Sequence, residues 1–280
     1  MNKLTALTLS LFVGTSFNAQ SIVIRHDVND SHYLATDSEF PPLATLYQIG
    51  VHGTLVHPQW VATAAHTIFC MEPGDKIKVG GNWATIGARY AHKDYVEDGE
   101  NDIAMLKLAA PVKHVKPAKL YRESDETEQQ IWFIGVGGTG TGATGQTVSY
   151  KENKGQLRKA QNTIRKTNEG EIFFTFNRGK DALPLEGVSG NGDSGGPAYK
   201  KIGDDYYLYG VSSRADSWFK KVGEYGVNEV YTRISYHSDW IDKVIDEAPN
   251  YLEQYTTQNR FAQDNIKDQL PKVCEMIGYK

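Results

Sequence analysis

The chain has 280 residues, of which 40% are hydrophobic and 23% are charged, with 30 lysines and arginines against 34 aspartates and glutamates. The formal net charge is −4 and no basic block stands out, so neither nucleic acid nor an anionic membrane surface is an implied partner. This length allows one large domain or two small ones around a substantial core. The 27 glycines, 16 tyrosines and short apolar runs favour an all-β fold.

The first 21 residues have the pattern of a secretory signal peptide. Lys3 is followed by an apolar run from Leu4 to Val13. Ala19 and Ser21 are small residues at the two positions that a signal peptidase recognises. The apolar run is too short to span a bilayer and no later segment qualifies, so we expect no stable membrane insertion. The interpretation is a secreted or periplasmic protein. Cleavage after Ala19 or Ser16, instead of Ser21, is an alternative.

A first group of β-rich stretches lies between residues 43 and 108, separated by glycine, proline and asparagine. Two polar residues stand at the ends of apolar segments in this group. His66 follows Thr63-Ala64-Ala65, and Asp102 precedes the apolar run that begins at Ile103. The predicted strands are residues 43–49, 53–56, 60–63, 76–79 and 103–108.

A mostly polar segment, residues 119–128, is the candidate linker to a second β-rich group. Residues 237–247 have helical spacing that places four apolar side chains on one face. Residues 250–280 are interpreted as an appended, partly helical tail. The strands predicted in the second group are residues 130–136, 171–176, 197–199, 206–212 and 229–233.

Two further patterns favour ordinary loops. Residues 135–140 fit G-x-G-x-x-G, a dinucleotide-binding pattern, but glycines continue after them and no helix follows, so a loop is the better interpretation. Glu97, Asp98 and Glu100 match no metal-binding spacing and indicate a solvated loop. We therefore expect neither a cofactor nor a metal.

Cys70 and Cys274 are the only two cysteines. Neither has another partner within the chain, and the signal peptide implies an oxidising destination, so we expect a disulfide between them. Two free thiols are the alternative.

Residues 190–197, with the sequence Gly-Asn-Gly-Asp-Ser-Gly-Gly-Pro, place Ser194 among residues with almost no side chains. Glycines on both sides allow a sharp turn in which two amide N–H groups point at one spot, where the oxyanion of an acyl-transfer intermediate would lie. A serine nucleophile needs a base, for which His66 is the candidate, and Asp102 is the candidate acid that orients it. The order His66, Asp102, Ser194 is that of one serine-protease lineage.

These segments, taken in order, resemble the chymotrypsin/trypsin family, and we expect a secreted bacterial member. The resemblance implies two six-stranded antiparallel β-barrels with the catalytic groups in the cleft between them, followed by a C-terminal helix and an appended tail. The implied units are residues 22–122 and 123–246, with residues 247–280 as an extension. The matching segments are residues 53–56, 59–61, 63–66, 101–108, 192–197 and 230–234 with Trp240-Ile241.

The resemblance also implies roles for single residues. His66 would accept the Ser194 proton, and the amides of Gly192 and Ser194 would form the oxyanion hole. Asp193 would pair with the α-amine of the mature N-terminus, which is Ile22 if cleavage follows Ser21. The implied function is a secreted serine endopeptidase that cuts a protein or peptide substrate through an acyl-enzyme. An esterase with the same triad and a catalytically silent binding protein are the alternatives.

Substrate specificity is the least determined feature. Ser213, Arg214 and Ala215 align with the segment whose backbone pairs with an extended substrate. Val188 stands six positions before the serine, where relatives that cut after lysine or arginine usually carry an acid.

Glu229 aligns with a pocket wall, and its direction decides the preference. A carboxylate inside the pocket would pair with a cationic side chain, whereas one facing solvent would leave Val188, Ser189 and Ala215 as a largely apolar lining. We favour the apolar or mixed pocket.

Overall fold

The structure is a computed structural model and describes residues 22–46, 49–216, 219–247, 249–262 and 266–276. The expected signal peptide, residues 1–21, lies outside the described residues. Most of the described chain is β-strand. The strands, in chain order, are β1 (Ile22–Ile24), β2 (Leu43–Leu46), β3 (Val51–His57), β4 (Trp60–Thr63), β5 (Lys76–Val79), β6 (Asn82–His92), β7 (Ala104–Leu108), β8 (Lys119–Leu120), β9 (Gln130–Gly135), β10 (Thr139–Thr141), β11 (Gly145–Val148), β12 (Arg158–Thr167), β13 (Glu171–Thr175), β14 (Gly187–Val188), β15 (Pro197–Ile202), β16 (Asp205–Asp216), β17 (Asn228–Arg233) and β18 (Thr256–Thr257).

Helices occupy a smaller part of the described chain. No helix in that part is long and apolar enough to span a membrane. The α-helices are α1 (Ala65–Ile68), α2 (Tyr150–Asn153), α3 (Ile234–Asp246) and α4 (Leu270–Met276), and short 3₁₀ helices cover Asp30–His32, Gly179–Asp181, Pro249–Gln254 and Lys267–Gln269.

Strands β2 to β7 form the first barrel. Their order around it is β6, β5, β2, β3, β4 and β7, and antiparallel pairing of β6 with β7 closes the ring. Alternation along a strand explains its burial, since Ile77 and Val79 of β5 are buried while Lys76 is exposed. Leu55 and Leu106 are fully buried in the same core.

The second barrel contains β15, β9, β12, β13, β17 and β16 in that order, and pairing of β15 with β16 closes it. Aromatic side chains fill its interior. Phe133, Phe174 and Tyr231 pack with ring centroids 4.9–5.2 Å apart. The predicted all-β fold with two six-stranded antiparallel barrels is therefore confirmed.

Helix α3 packs at the junction between the barrels. Ile241 and Val244 are fully buried in one cluster with Trp60 and Met105 of the first barrel and Val211 of the second. The helix predicted from the spacing of its apolar residues is confirmed, and it starts at Ile234, three residues earlier than expected.

Strand β1 lies in a separate four-stranded sheet with the order β11, β10, β1 and β14. Ile22 is paired with Thr139, and Val23 is paired with Val188. The first described residues thus pack against strands from the second half of the chain. The boundaries 22–122 and 123–246 stay a prediction.

Beyond α3 the chain returns to the first barrel. Strand β18 pairs with β6 and places Thr256 opposite His92, and Leu270 packs on the first-barrel core. Cys274 forms a disulfide with Cys70, with 5.4 Å between their Cα atoms. The predicted disulfide is therefore confirmed.

Candidate active site

His66 and Asp102 meet where two strands of the first barrel end. Helix α1, which follows β4 after one residue, carries His66, and Asp102 lies two residues before β7. The His66 Nδ1 atom is 2.7 Å from Oδ2 of Asp102, and the His66 backbone N–H donates to Oδ1 at 2.9 Å. Because the carboxylate accepts the hydrogen of Nδ1, Nε2 keeps the lone pair that a general base needs.

Asp102 is buried, with 4% of its surface exposed. Its Oδ2 also accepts a hydrogen bond from the Ser213 hydroxyl at 2.7 Å, and its carbonyl accepts one from the Thr232 hydroxyl at 2.8 Å. Burial alone would raise the pKa of Asp102, but the charge of His66 and the hydrogen bonds from His66 and Ser213 hold this pKa below its ordinary value. The carboxylate therefore stays ionised at neutral pH.

His66 is partly exposed. Burial of the ring opposes its cation, but the charge of Asp102 and the Nδ1 hydrogen bond outweigh burial and raise the pKa of His66. Arg260 lowers this pKa and Asp98 raises it, each through its charge. The site therefore stabilises the imidazolium that forms when His66 accepts a proton.

The turn that carries Ser194 is held by both barrels. The Ser194 carbonyl accepts a 2.8 Å hydrogen bond from the His52 N–H of β3, and the Gly195 N–H donates to the Ser212 carbonyl of β16 at 2.9 Å. A Cβ atom at Gly195 would overlap the His52 carbonyl and the Thr63 hydroxyl. Glycine thus allows this turn to lie against the end of β4, next to the helix that carries the histidine.

The same turn presents backbone donors. Gly192 has a φ of +95° and Gly195 a φ of +78°, values that favour glycine. Within the described ranges, neither the Gly192 N–H nor the Ser194 N–H donates a hydrogen bond. Unused N–H groups beside a serine hydroxyl are the donors that oxyanion stabilisation requires.

Asp193 points away from these donors into the protein. Its carboxylate accepts hydrogen bonds from the N–H groups of Gly137 at 2.7 Å and Gly190 at 2.9 Å. Burial raises the pKa of Asp193 to about 7, against the opposing effect of backbone N–H groups that include Ile22. A Cβ at Gly137 would overlap this carboxylate. The glycine-rich segment 135–140, expected to be a loop, thus comprises the end of β9, the turn of residues 136–138 and the start of β10, and its turn holds Asp193.

His52 is a buried neighbour that the sequence analysis did not single out. Its Nε2 accepts a 3.0 Å hydrogen bond from the Val136 N–H and lies 3.9 Å from Oδ1 of Asp193. Burial lowers the pKa of His52 to about 4, so the ring is neutral and supports the turn by packing. A histidine in a β-strand carries no local signal of such a role.

The predicted substrate-binding residues lie along β14, β16 and β17. Val188 is fully buried and packs with Val23 and Phe176. The Ser189 hydroxyl is hydrogen-bonded to the Tyr231 hydroxyl. The surroundings of Val188 are therefore apolar, and the Ser189 hydroxyl already has a partner.

Glu229 lies on β17 opposite Ala215 of β16, and only 3% of its surface is exposed. Within the described part of the chain, no cation forms an ion pair with its carboxylate. Burial, followed by the nearby negative charge of Asp193, raises the pKa of Glu229 well above its ordinary value. The alternative in which Glu229 faces solvent is therefore wrong.

The side chains of Ser213 and Arg214 make contacts of their own, while the backbone pairing with a substrate expected for this segment stays a prediction. Ser213 lies where the β16–β17 register shifts, and its side chain bonds Asp102. Arg214 forms an ion pair with Glu171 at 2.7 Å and donates to the Gly99 carbonyl at 3.1 Å. The Ser213 side chain thus contacts Asp102 and the Arg214 side chain contacts the loop before it, which the backbone-pairing prediction did not include.

The acidic loop shows no arrangement of metal ligands. Glu97 is paired with Arg260 of the C-terminal extension. No group of three or more histidine, cysteine or acidic side chains that could hold a metal occurs in the described ranges.

Most of this chain is similar in sequence to known proteins. The trypsin family model matches residues 31–241. A tryptase of Mus musculus is 28% identical over 222 residues, which cover 68% of this chain and 76% of the tryptase. Serine protease SSP1 of Scolopendra subspinipes is 27% identical over 235 residues, which cover 72% and 76% of the two chains. An ovochymase of Halocynthia roretzi is 26% identical over 212 residues, 68% of this chain but 13% of that longer protein.

Proposed function

Because the chain belongs to the trypsin family and is a serine endopeptidase, we propose that its nucleophile is Ser194, with His66 as general base and Asp102 as the residue that orients His66. The observation that carries this assignment is the His66–Asp102 pair at 2.7 Å beside the glycine turn of Ser194.

In the first step, the Ser194 hydroxyl oxygen attacks the carbonyl carbon of the substrate as its proton moves to Nε2 of His66. The C–N bond then breaks, and His66 gives the proton to the departing amine. Water repeats the sequence on the acyl-enzyme and returns Ser194 to its starting state. The negative charge of each intermediate lies on an oxygen that the N–H groups of Gly192 and Ser194 stabilise.

The buried carboxylate of Glu229 supports a preference for a substrate with a cationic side chain, lysine or arginine, on the acyl side of the cut bond. A buried carboxylate without a cation is costly, and a substrate ammonium or guanidinium group would offset that cost. Glu229 lies opposite Ala215 and close enough to Asp193 for their charges to interact. This proposal replaces the apolar or mixed pocket that the sequence favoured, and Val188 and Ser189 would line its floor.

The position and backbone conformation of Ile22 support cleavage of the chain after Ser21. Its backbone nitrogen faces the Asp193 carboxylate, so a free α-amine at this position would supply the cation that Asp193 lacks. Ile22 also holds a φ of +60°, which is unfavourable for a β-branched residue. This angle depends on the peptide bond to the preceding residue, so cutting that bond removes the constraint.

Secretion, or export to a periplasm, follows from the signal peptide expected at residues 1–21 and from a disulfide, which persists in oxidising compartments. A bacterial source stays a prediction, since the relatives named above come from animals.

Two experiments, one kinetic and one by covalent labelling, separate this function from its alternatives. A peptide amide and its matching ester are compared as substrates, and turnover of the ester alone would indicate an esterase. A fluorophosphonate is then tested for covalent attachment to Ser194 by mass spectrometry of the peptide that contains it. An intact protein that turns over neither substrate and takes up no label would be a silent binding protein.

A further inference from the structure

The C-terminal extension lies beyond the residues that match the trypsin family, yet it is bound closely to the first barrel. The Tyr255 carbonyl accepts 3.0 Å hydrogen bonds from the Lys93 N–H and from Nε1 of Trp240. The Gln258 side chain donates to the Arg89 carbonyl at 2.7 Å. These contacts, with the pairing of β18 and β6, place the extension at the start of the loop that leads to Asp102.

This loop, residues 93–101, is held partly by contacts from outside itself. Asp98 and Asn101 hold φ values of +55° and +57°, in the left-handed region, which aspartate and asparagine adopt more readily than other residues with side chains but at a cost that surrounding contacts offset. Arg214 of the second barrel supplies one such contact at the Gly99 carbonyl. Asp102 follows the loop directly, so a change in the loop is transmitted to the carboxylate that orients His66.

Arg260 of the extension supplies the second contact. Its Nε donates to Oε1 of Glu97 at 3.0 Å, and its Nη2 donates to the same oxygen. The Arg260 side chain is 22% exposed and the Glu97 side chain 37%, so the ion pair is only partly shielded from water and its role here is to hold the loop in position. Arg260 also lies near enough to His66 for its charge to act on the ring.

The disulfide fixes the far end of the extension beside the catalytic histidine. Cys70, which pairs with Cys274, lies four residues after His66. Phe69 packs on Tyr95 of the same loop with ring centroids 5.7 Å apart, and Tyr95 is 2% exposed. The extension is therefore attached on both sides of the His66–Asp102 pair, by a covalent bond and by an ion pair.

We propose that the C-terminal extension is a positioning element of the active site, in which Arg260 holds the 93–101 loop, and through it Asp102, while the Cys70–Cys274 disulfide keeps the extension in place. The inference rests on the proposed function, because it assigns a second layer of support to the same catalytic pair. The charged groups that face His66 are Asp102, Asp98 and Arg260. Arg260 is the cation among them and therefore favours the neutral ring that acts as base.

The first test is Arg260→Gln. We expect kcat to fall about 10-fold with KM nearly unchanged, because a small displacement of Asp102 misorients the base without touching the substrate. The pKa of His66 should also change, because loss of the Arg260 cation raises it while a displaced Asp102, whose charge and hydrogen bond act more strongly on the ring, lowers it. Glu97→Gln should lower kcat similarly, and the double variant should be no worse than either single one, since the two residues act as a pair.

Arg122→Gln is the matched control, because it removes an arginine from a 2.9 Å surface ion pair with Asp242. It should leave kcat and the pKa of His66 unchanged. A folded Cys70→Ser/Cys274→Ser variant should lose as much kcat as Arg260→Gln. If that double variant does not fold, Arg260→Gln alone decides. Wild-type kcat in Arg260→Gln, or an unchanged His66 titration, would overturn the proposal.

The titration of His66 also separates this proposal from the proposed function. It is followed by NMR in the Ser194→Ala background, with and without Arg260→Gln, and so requires no turnover. Failure of the proposed function would appear as a wild-type protein that fluorophosphonate does not label. Failure of this inference would appear as identical His66 titrations in the two proteins.

Discussion

The Ser213 hydroxyl donates a 2.7 Å hydrogen bond to Oδ2 of Asp102, the oxygen that also faces Nδ1 of His66. Ser213 comes from the second barrel and Asp102 from the first, so the two halves of the molecule jointly fix the Asp102 carboxylate. A carboxylate held this way keeps its direction while the histidine beside it gains and loses a proton.

Ser213→Ala should therefore lower kcat/KM about 10-fold, because a hydrogen bond to a charged acceptor is worth about 1.5 kcal/mol. Steady-state kinetics on a peptide amide measure the effect. Ser238→Ala is the control, since that hydroxyl donates to the Ser235 carbonyl within α3 and should be dispensable for turnover. Equal kcat/KM values for the two variants would show that the Ser213 hydroxyl does not contribute to turnover.

The pH dependence of kcat/KM should follow the protonation of the His66 ring. The ring must be neutral to accept the Ser194 proton, and its pKa lies above the ordinary value of about 6.5 because Asp102 stabilises the cation. Activity should consequently rise with pH through a midpoint above about 6.5 and be lost below it. A profile that is flat from acid to neutral pH, or centred well below that value, would contradict the assignment of the base.

The buried carboxylate of Glu229 is the basis for a prediction of the preferred substrate. A substrate with arginine on the acyl side should be cut at least 100-fold better than one with citrulline, its neutral isostere, and Glu229→Gln should remove about 100-fold from the arginine substrate alone. The comparison of kcat/KM over the two enzymes and two substrates isolates the charge. A preference for phenylalanine that Glu229→Gln leaves unchanged would restore the apolar pocket.

The mature chain should begin at Ile22. An α-amine at Ile22 should pair with the Asp193 carboxylate, whose pKa burial raises to about 7, so the pair should be present while the amine is protonated and should be lost as pH rises and the amine deprotonates. Mass spectrometry of the active protein gives the first residue, and activity should decline on the alkaline side. Full activity in a chain that still carries residues before Ile22 would refute this.

Local sequence patterns predicted much of the fold. Strands β4 and β5 have the predicted limits, residues 60–63 and 76–79, because each is a short β-rich run; burial alternates along β5, whereas β4 is buried throughout. His66, Asp102 and Ser194 could be proposed as site residues because each lies in a short motif that requires no knowledge of distant contacts, and their roles stay a prediction. The His66–Asp102 pair then follows from the ends of adjacent strands.

Long-range contacts explain what the sequence did not reveal. Strand β12 was missed because it is polar, and its buried Arg158 is stabilised by Asp30, 128 residues earlier in the chain. The direction of Glu229 depends on its register with Ala215 and Phe174, which belong to other strands. Arg260 meets Glu97 across 163 residues. A linear pattern carries no signal for such pairs.

Ser194→Ala gives the most direct test of the nucleophile. Hydrolysis of a peptide amide is measured for this variant and for the wild-type chain at equal concentrations, after circular dichroism has shown equal folding. Loss of the hydroxyl should remove nearly all turnover, at least about 10,000-fold in kcat, since only the oxyanion donors and substrate binding remain. A folded Ser194→Ala protein that hydrolyses the amide at the wild-type rate would contradict the account.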